Sequence, residues 1–204
     1  MTITMEYIAP IISAIAAIIA GWFAYNQKTK DKMTDLRIEQ MRRDEERKSK
    51  IRSDNTGAIY GVLWHILHEL QADRAYIVQP HPLSDNHFIS VSMEVKRNGI
   101  KGMKSSIQNL EIANVALFVS ELASREYLQF RDIASEVRDK RARAILSMNG
   151  SVSSVIRRLS DDRYDWIGSI ICEFNDTMNA DPIFCRKTLE DAADKIQYIL
   201  PEIR

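Results

Sequence analysis

Residues 7–25, YIAPIISAIAAIIAGWFAY, form an uncharged run that begins six positions from the N-terminus. No other stretch constrains the chain as strongly. About 20 apolar residues at ~1.5 Å each cover the hydrocarbon core of a bilayer, and a helix satisfies its own backbone there. Pro10 stands in the first turn, where its missing N–H costs little, and Trp22, Phe23 and Tyr25 crowd the far end as an interfacial belt would. A cleaved secretory signal would carry positive charge before the run and small residues after it; here Glu6 precedes it and bulky aromatics close it. A buried core helix of a soluble protein is the other reading, but such helices are rarely this long so near a chain end. The run therefore predicts a single-pass anchor.

The flanks set its direction. Ten Lys or Arg residues lie between Gln27 and Arg52 and none in the first six positions, so the positive-inside rule keeps everything from Asn26 onward in the cytoplasm. The expected location is a bacterial inner membrane. Ala9, Ser13, Ala17 and Gly21 recur every fourth residue and line one stripe of the span. That stripe suits close approach of a second helix, giving a homodimer, although Ala and Gly are also simply common in spans.

Three segments follow: 1–25 as the transmembrane helix, 26–54 as a charged helical linker and 55–204 as the cytoplasmic domain. The linker lacks Pro and Gly, and its few apolar points, Met33, Leu36, Met41 and Ile51, sustain no heptad for a long coiled coil. Asp44 with Lys48 and Glu46 with Lys50 fall at i, i+4 and support an exposed helix. The linker runs into the domain with Gly57 and Gly61 as its weak points, so a displacement at one end can pass to the other. Lys plus Arg and Asp plus Glu both number 28, which offers no global charge for a nucleic-acid partner; the basic excess is local and suits a lipid surface.

Within the domain, Ile59, Val62, Leu63, Ile66, Leu67 and Leu70 repeat at helical spacing. Residues 75–79 read as a short strand closed by Pro80 and Pro82, and Phe88–Val95 alternates Ile89, Val91, Met93 and Val95 with Ser90, Ser92 and Glu94. Ile112, Val115, Ala116, Val119 and Leu122 predict a helix capped by Asn109; Val137, Arg141, Ala144, Ile145 and Met148 predict another, ended by Asn149-Gly150. A short strand is expected at 127–130 between them. Residues 151–159 and 166–174 form a hairpin around SDDRYD, and Asp181-Pro182 opens a last helix facing inward through Leu189, Ala192, Ala193 and Ile196.

This α+β order, with helices at both ends and an antiparallel sheet between, resembles the GAF domain. The likeness covers about residues 55–199. It rests on the first amphipathic helix leading into AYIVQPHP, on FISVSMEV, and on GSVSSVIRRLSDDRYDWIGSIICEF with its Trp166-Ile167-Gly168 step. The resemblance implies helices on both faces of the sheet and a ligand pocket beneath the mid-chain segments. If Ile89, Val91, Met93 and Val95 pack under the terminal helices, Ser90, Ser92 and Glu94 line that pocket, joined by Tyr76, His81 and Ser153. The sequence has no counterpart of the Asn-Lys-Phe-Asp-Glu set of cyclic-nucleotide phosphodiesterase GAF domains, nor a Cys in the chromophore-attaching context of phytochromes, so neither ligand class carries over.

Other constellations have plainer explanations. His65, His68, His81 and His87 cluster in sequence without Cys or HExxH spacing, and scattered helix and loop histidines explain them better than a metal site. Arg138, Lys140, Arg141 and Arg143, with Arg157 and Arg158, suit a phosphate-bearing ligand or, more simply, a solvated helix face. Asp161, Asp162 and Asp165 suit a polar turn. Cys172 and Cys185 match no metal spacing and are expected to be reduced and buried. No nucleophile elbow, P-loop or dinucleotide fingerprint is present, so no catalytic residue, metal or cofactor is assigned.

The expected function is a membrane-anchored regulatory or sensory protein whose domain binds a small ligand or a partner protein. With no output domain in view, its signal would leave through the anchor, self-association or a docked protein. Two alternatives stand beside it: a ligand-free adaptor or phage-encoded inner-membrane protein, and a nucleotide-triggered membrane effector of anti-phage defence. A pocket lined by Ser and Arg would favour the sensor or the effector, and a filled core the adaptor.

Overall fold

The computed structural model describes residues 4–82, 87–161 and 163–201; for helical residues 4–21 and 23–37 it describes the main chain alone. The chain divides into two compact units at Ile51/Arg52. Helix α1 (Thr4–Glu69) supplies all of the described first unit. From Ile38 to Ile51 it is exposed throughout, and its ion pairs are Glu39 with Arg43 at 2.5 Å and Arg42 with Glu46 at 3.6 Å. These are other i, i+4 partners than the expected Asp44–Lys48 and Glu46–Lys50. Among the described residues no helix is long and apolar enough to cross a membrane. The side chains of the run 7–25, including Ala9, Ser13, Ala17 and Gly21 but not the exposed Trp22, lie outside the described ones.

In the second unit the last turns of α1 bury Ile59, Leu63, Ile66 and Leu67, and Leu70 just beyond them, while Trp64, His65 and His68 face outward, as the spacing requires. Gln71, at a left-handed φ of 53°, ends this helix. Six strands follow: β1 (Arg74–His81), β2 (Phe88–Lys96), β3 (Leu110–Glu111), β4 (Tyr127–Phe130), β5 (Ser153–Ser160) and β6 (Trp166–Phe174). They form one antiparallel sheet in the order β3-β2-β1-β6-β5-β4. The central β1–β6 pairing joins an early hairpin to a late one.

Helices cover both faces of the sheet. On the terminal-helix face, α1 and α5 (Pro182–Ile196) pack Leu63, Ile66, Leu189, Ala192 and Ile196 against Ala75, Ile77, Val155, Ile170 and Cys172. On the mid-chain face lie a 3-10 turn (Ile112–Val115) and helices α2 (Ala116–Ser124), α3 (Ile133–Glu136) and α4 (Lys140–Met148). They pack Phe118, Leu122, Ile133 and Leu146 against Tyr76, Val91, Leu128, Ile156 and Ile171. At ~25 cal/mol per Å2, two such apolar layers supply the main stabilisation of the domain. Asp132, Asp139 and Asp181 cap α3, α4 and α5 with side-chain oxygens, and Pro182 sits at the first helical position as the sequence implies.

Four sequence expectations are corrected. Strand β1 extends through Pro80, which is tolerated because pairing with β6 stops at Val78 and leaves that flank without a ladder partner. Asn109 caps no helix; it turns at φ 49° into the short β3, and α2 begins seven residues later without a side-chain cap. The helix expected over residues 137–148 starts only at Lys140, since Val137 is extended and fully buried as it ends the short α3; α4 then turns Ala142 and Leu146 inward and leaves Arg141 and Met148 outside.

The fourth concerns β2. Its register against β1 slips between Ile77 and Val78, so Ile77 faces Met93 while Val78 faces Val91 and Ser92 is the extra residue. This bulge inverts the alternation at mid-strand. Met93 and Val95 pack under the terminal helices, but Ile89 and Val91 pack on the mid-chain face.

Candidate functional site

The bulge rearranges the six residues expected to line a pocket. Tyr76 and Glu94 are direct cross-strand partners and stay together on the mid-chain face. Ser92 is half-buried at the bulge and donates to the Ile77 carbonyl at 3.3 Å. Ser90 alternates to the face opposite Ile89, where its Oγ lies 2.8 Å from His81 Nε2 and accepts the Asn109 N–H at 2.8 Å. Ser153 is also on the terminal-helix face: it donates to the Asp176 carbonyl and accepts from the Met178 N–H, pinning the segment after β6. Only Tyr76 and Glu94 of the six therefore meet on the face where a pocket was expected.

That face is filled. Between the sheet and α4, among the described residues, lies a void of about 10 Å3, lined by apolar side chains including Ile89, Ile107, Phe118 and Leu146. A cavity of that size holds one water at most and offers it no polar partner. Larger hollows open to the surface. A cleft of about 480 Å3 lies beside Glu69, Asp73, Asp176 and Phe184, and a groove of about 310 Å3 runs between α1 and α5 past His65, Phe184 and Lys195.

A buried polar cluster was not anticipated. Arg74 and Glu173 face each other across β1 and β6, both fully buried, with Nε 2.5 Å from Oε2. The guanidinium also donates to the Lys101 carbonyl, to the Asn149 carbonyl at 2.7 Å and to Ser151 Oγ at 3.0 Å. Glu173 accepts from Ser151 Oγ at 2.6 Å and from Tyr76 Oη at 2.5 Å. Burial pushes the Glu173 carboxyl above its ordinary value, opposed by Arg74 and by these hydrogen bonds, and burial followed by the Glu173 charge lifts the Tyr76 phenol well above its own. The signal that could have found this cluster is a lone acid inside the apolar run IICEF, matched by an Arg where β1 starts. Such a charge in a central strand needs a partner across the ladder.

The remaining candidates are placed separately. Arg157 and Arg158 project to opposite faces of β5, yet both reach Glu126, at 3.1 and 3.5 Å. Asp161 Oδ1 accepts the Arg163 and Asp165 N–H groups at 2.9 Å each, which is turn chemistry; Asp162 lies outside the described residues. His68 stacks on Trp64 and His81 on Phe88, and among the described residues no three His, Cys, Asp or Glu side chains gather as a metal site. Cys172 and Cys185 are both free and buried.

No protein-family model and no curated protein matches this sequence. Solved structures share its fold. The blue-light-absorbing form of the PixJ GAF domain of Thermosynechococcus elongatus superposes with a TM-score of 0.60 at 14% identity, covering 72% of this chain and 85% of that one. A GAF domain of a Synechocystis protein in its photoproduct state gives 0.58 at 12% identity over 70% and 90%. A far-red-absorbing domain with bound biliverdin gives 0.55 at 10% identity over 74% and 97%. The domain has a GAF-like fold.

Proposed function

We propose that this chain is a non-catalytic regulatory protein, anchored in the bacterial inner membrane by residues 7–25, whose cytoplasmic GAF-like domain works by binding a partner protein. The observation that carries this reading is the filled mid-chain face. Solved structures of the same fold include light-absorbing domains, one of them holding biliverdin, whereas the void found here between the sheet and α4 is about 10 Å3. A fold used for sensing, with its own side chains in place of a ligand, supports recognition of a macromolecule at its surface. The signal would leave through the anchor or through self-association along the stripe Ala9, Ser13, Ala17 and Gly21.

A small-ligand sensor is the second reading. It is favoured by one observation, that a segment without helix or strand, tied down by Arg74 and Glu94, does part of the filling. The test is mass spectrometry of small molecules released from full-length protein purified in detergent, paired with carbonate extraction of membranes. The partner reading expects no stoichiometric small molecule and retention in the carbonate pellet. A ligand released at one per chain would overturn it in favour of the sensor, and release into the supernatant would overturn the anchor.

A further inference from the structure

Between Gly99 and Asn109 the chain forms neither helix nor strand, yet it contributes to the mid-chain core. Met103 is fully buried and Ile107 nearly so, and the Ser106 and Ile107 N–H groups both close turns onto the Met103 carbonyl at 2.9 Å. Lys101, Lys104, Ser105 and Gln108 are exposed. The segment thus presents two apolar side chains, four residues apart, to the sheet and a polar back to solvent.

Its main chain is held mostly by side chains. Glu94 accepts the Met103 N–H on Oε1 and the Lys104 N–H on Oε2 at 3.4 Å. Arg74 donates to the Lys101 carbonyl, and Ser90 Oγ accepts the Asn109 N–H at 2.8 Å. Lys96 Nζ donates to the Ile100 carbonyl at 2.5 Å, and two backbone bonds are added, from Ile100 N–H to the Arg97 carbonyl at 3.2 Å and from Val91 N–H to the Ile107 carbonyl at 2.9 Å. A Cβ on Gly102 would stand 2.7 Å from Glu94 Oε2, so the absence of a side chain there lets the carboxylate reach both amides. A carboxylate on paired N–H groups, a guanidinium on a carbonyl and sockets for side chains at i and i+4 are the means by which a groove grips a peptide turn.

We propose that this face of the sheet is a peptide-binding site occupied in cis by residues 99–109, which stand in for a turn of a partner protein. The proposal rests on the partner-binding reading above and names its site. The matching turn carries a glycine followed by a large apolar residue and a second apolar residue four positions on. Tethering gives the internal segment a high effective concentration, so a partner engages only when its turn binds better or the internal one is weakened. The site is thereby inhibited by its own chain.

The experiment uses full-length protein in detergent micelles and a fluorescein-labelled peptide of residues 99–109, GIKGMKSSIQN, followed by anisotropy. Met103→Ala, which loosens the internal segment, is expected to bind the peptide at least about tenfold more tightly than the wild type does, since the tethered competitor is weakened. A peptide with Ser at its Met position is expected not to bind. Equal affinity for both proteins, or binding to neither, overturns the proposal. Hydrogen exchange on the wild type decides the matter if the variant fails to fold. The Met103 and Lys104 amides are expected to exchange about a hundredfold faster than those of Ile77 and Ile171 in the central strands, by local opening. Exchange only in step with the strands means the segment is permanent core and overturns the proposal. A carbonate-stable protein that releases no small molecule and binds no peptide would lose this site and keep the regulatory reading.

Discussion

Replacing Arg74 with Met tests what holds the interior together. The arginine contributes an ion pair to Glu173 and hydrogen bonds to the Lys101 and Asn149 carbonyls and to Ser151. Its removal strands a fully buried carboxylate with only Tyr76 and Ser151 as donors, and breaking one side of such a pair costs about 3–5 kcal/mol. Arg74→Met/Glu173→Gln removes the charge and keeps donors for the amide oxygen; its deficit should fall to about 1–2 kcal/mol, that of carbonyls left unpaired. Urea denaturation of full-length protein in detergent, with intrinsic fluorescence as readout, gives each value. The pH dependence supplies the sign. Without Arg74, burial is opposed only by the Ser151 and Tyr76 hydrogen bonds and raises the folded carboxyl of Glu173 further above the unfolded value of 4.5. A raised folded pKa means stability that is present below the unfolded value and is lost as pH rises through the folded one. The Arg74→Met deficit should therefore be smaller near pH 4.5 than near pH 7.5. A single variant within about 1 kcal/mol of wild type, a double variant no better than the single, or a deficit unchanged by pH would refute the reasoning.

Two further outcomes follow from close contacts and from burial. Gly168→Ala would place a Cβ 2.8 Å from the Val78 carbonyl oxygen, a backbone atom that cannot yield without moving β1; overpacking of this kind should cost about 1–3 kcal/mol, read as a drop in the urea midpoint. Burial, with the neighbouring Cys185 second, pushes the half-buried Tyr127 phenol from 10.0 up to about 12. Its contribution to stability is complete below pH 10.0 and disappears as pH climbs to about 12, so the urea midpoint should fall across that window and fall less in Tyr127→Phe.

The periodic parts of the fold are legible in the sequence because one side of each element does one job. Ile59, Leu63, Ile66 and Leu67 on α1, and Leu189, Ala192, Ala193 and Ile196 on α5, sit where their spacing puts them. The late hairpin is equally plain, since two β-prone runs, with Val155, Ile156 and Leu159 in one and Ile167, Ile170 and Ile171 in the other, flank a polar turn. The candidate site was less legible. Alternation along β2 placed Ser90, Ser92 and Glu94 together, but no propensity marks Ser92 as the extra residue of a bulge, and one inserted position moves Ser90 to the other face. The spacing of Val137 from Arg141 suits a helix, whereas the Asp139 side chain competes locally by capping α4 at its own start. Arg74 and Glu173 stand 99 positions apart, and their meeting depends on the β1–β6 pairing, which no local pattern specifies.

The bulge at Ser92 also decides how the two faces of the sheet are coupled. Without the extra residue, β2 would present one side to the terminal helices along its whole length. With it, the strand is divided: its second half belongs to the layer of Met93 and Val95, and its first half, through Val91, holds Ile107. Ser92 stands at the junction of the two halves: its Oγ reaches the Ile77 carbonyl and its own carbonyl lies 3.5 Å from Lys104 Nζ. If residues 99–109 lift as proposed, Val91 loses its bond to Ile107 and Ser92 its contact with Lys104, directly beside the strand half that carries Met93 and Val95 under the terminal helices.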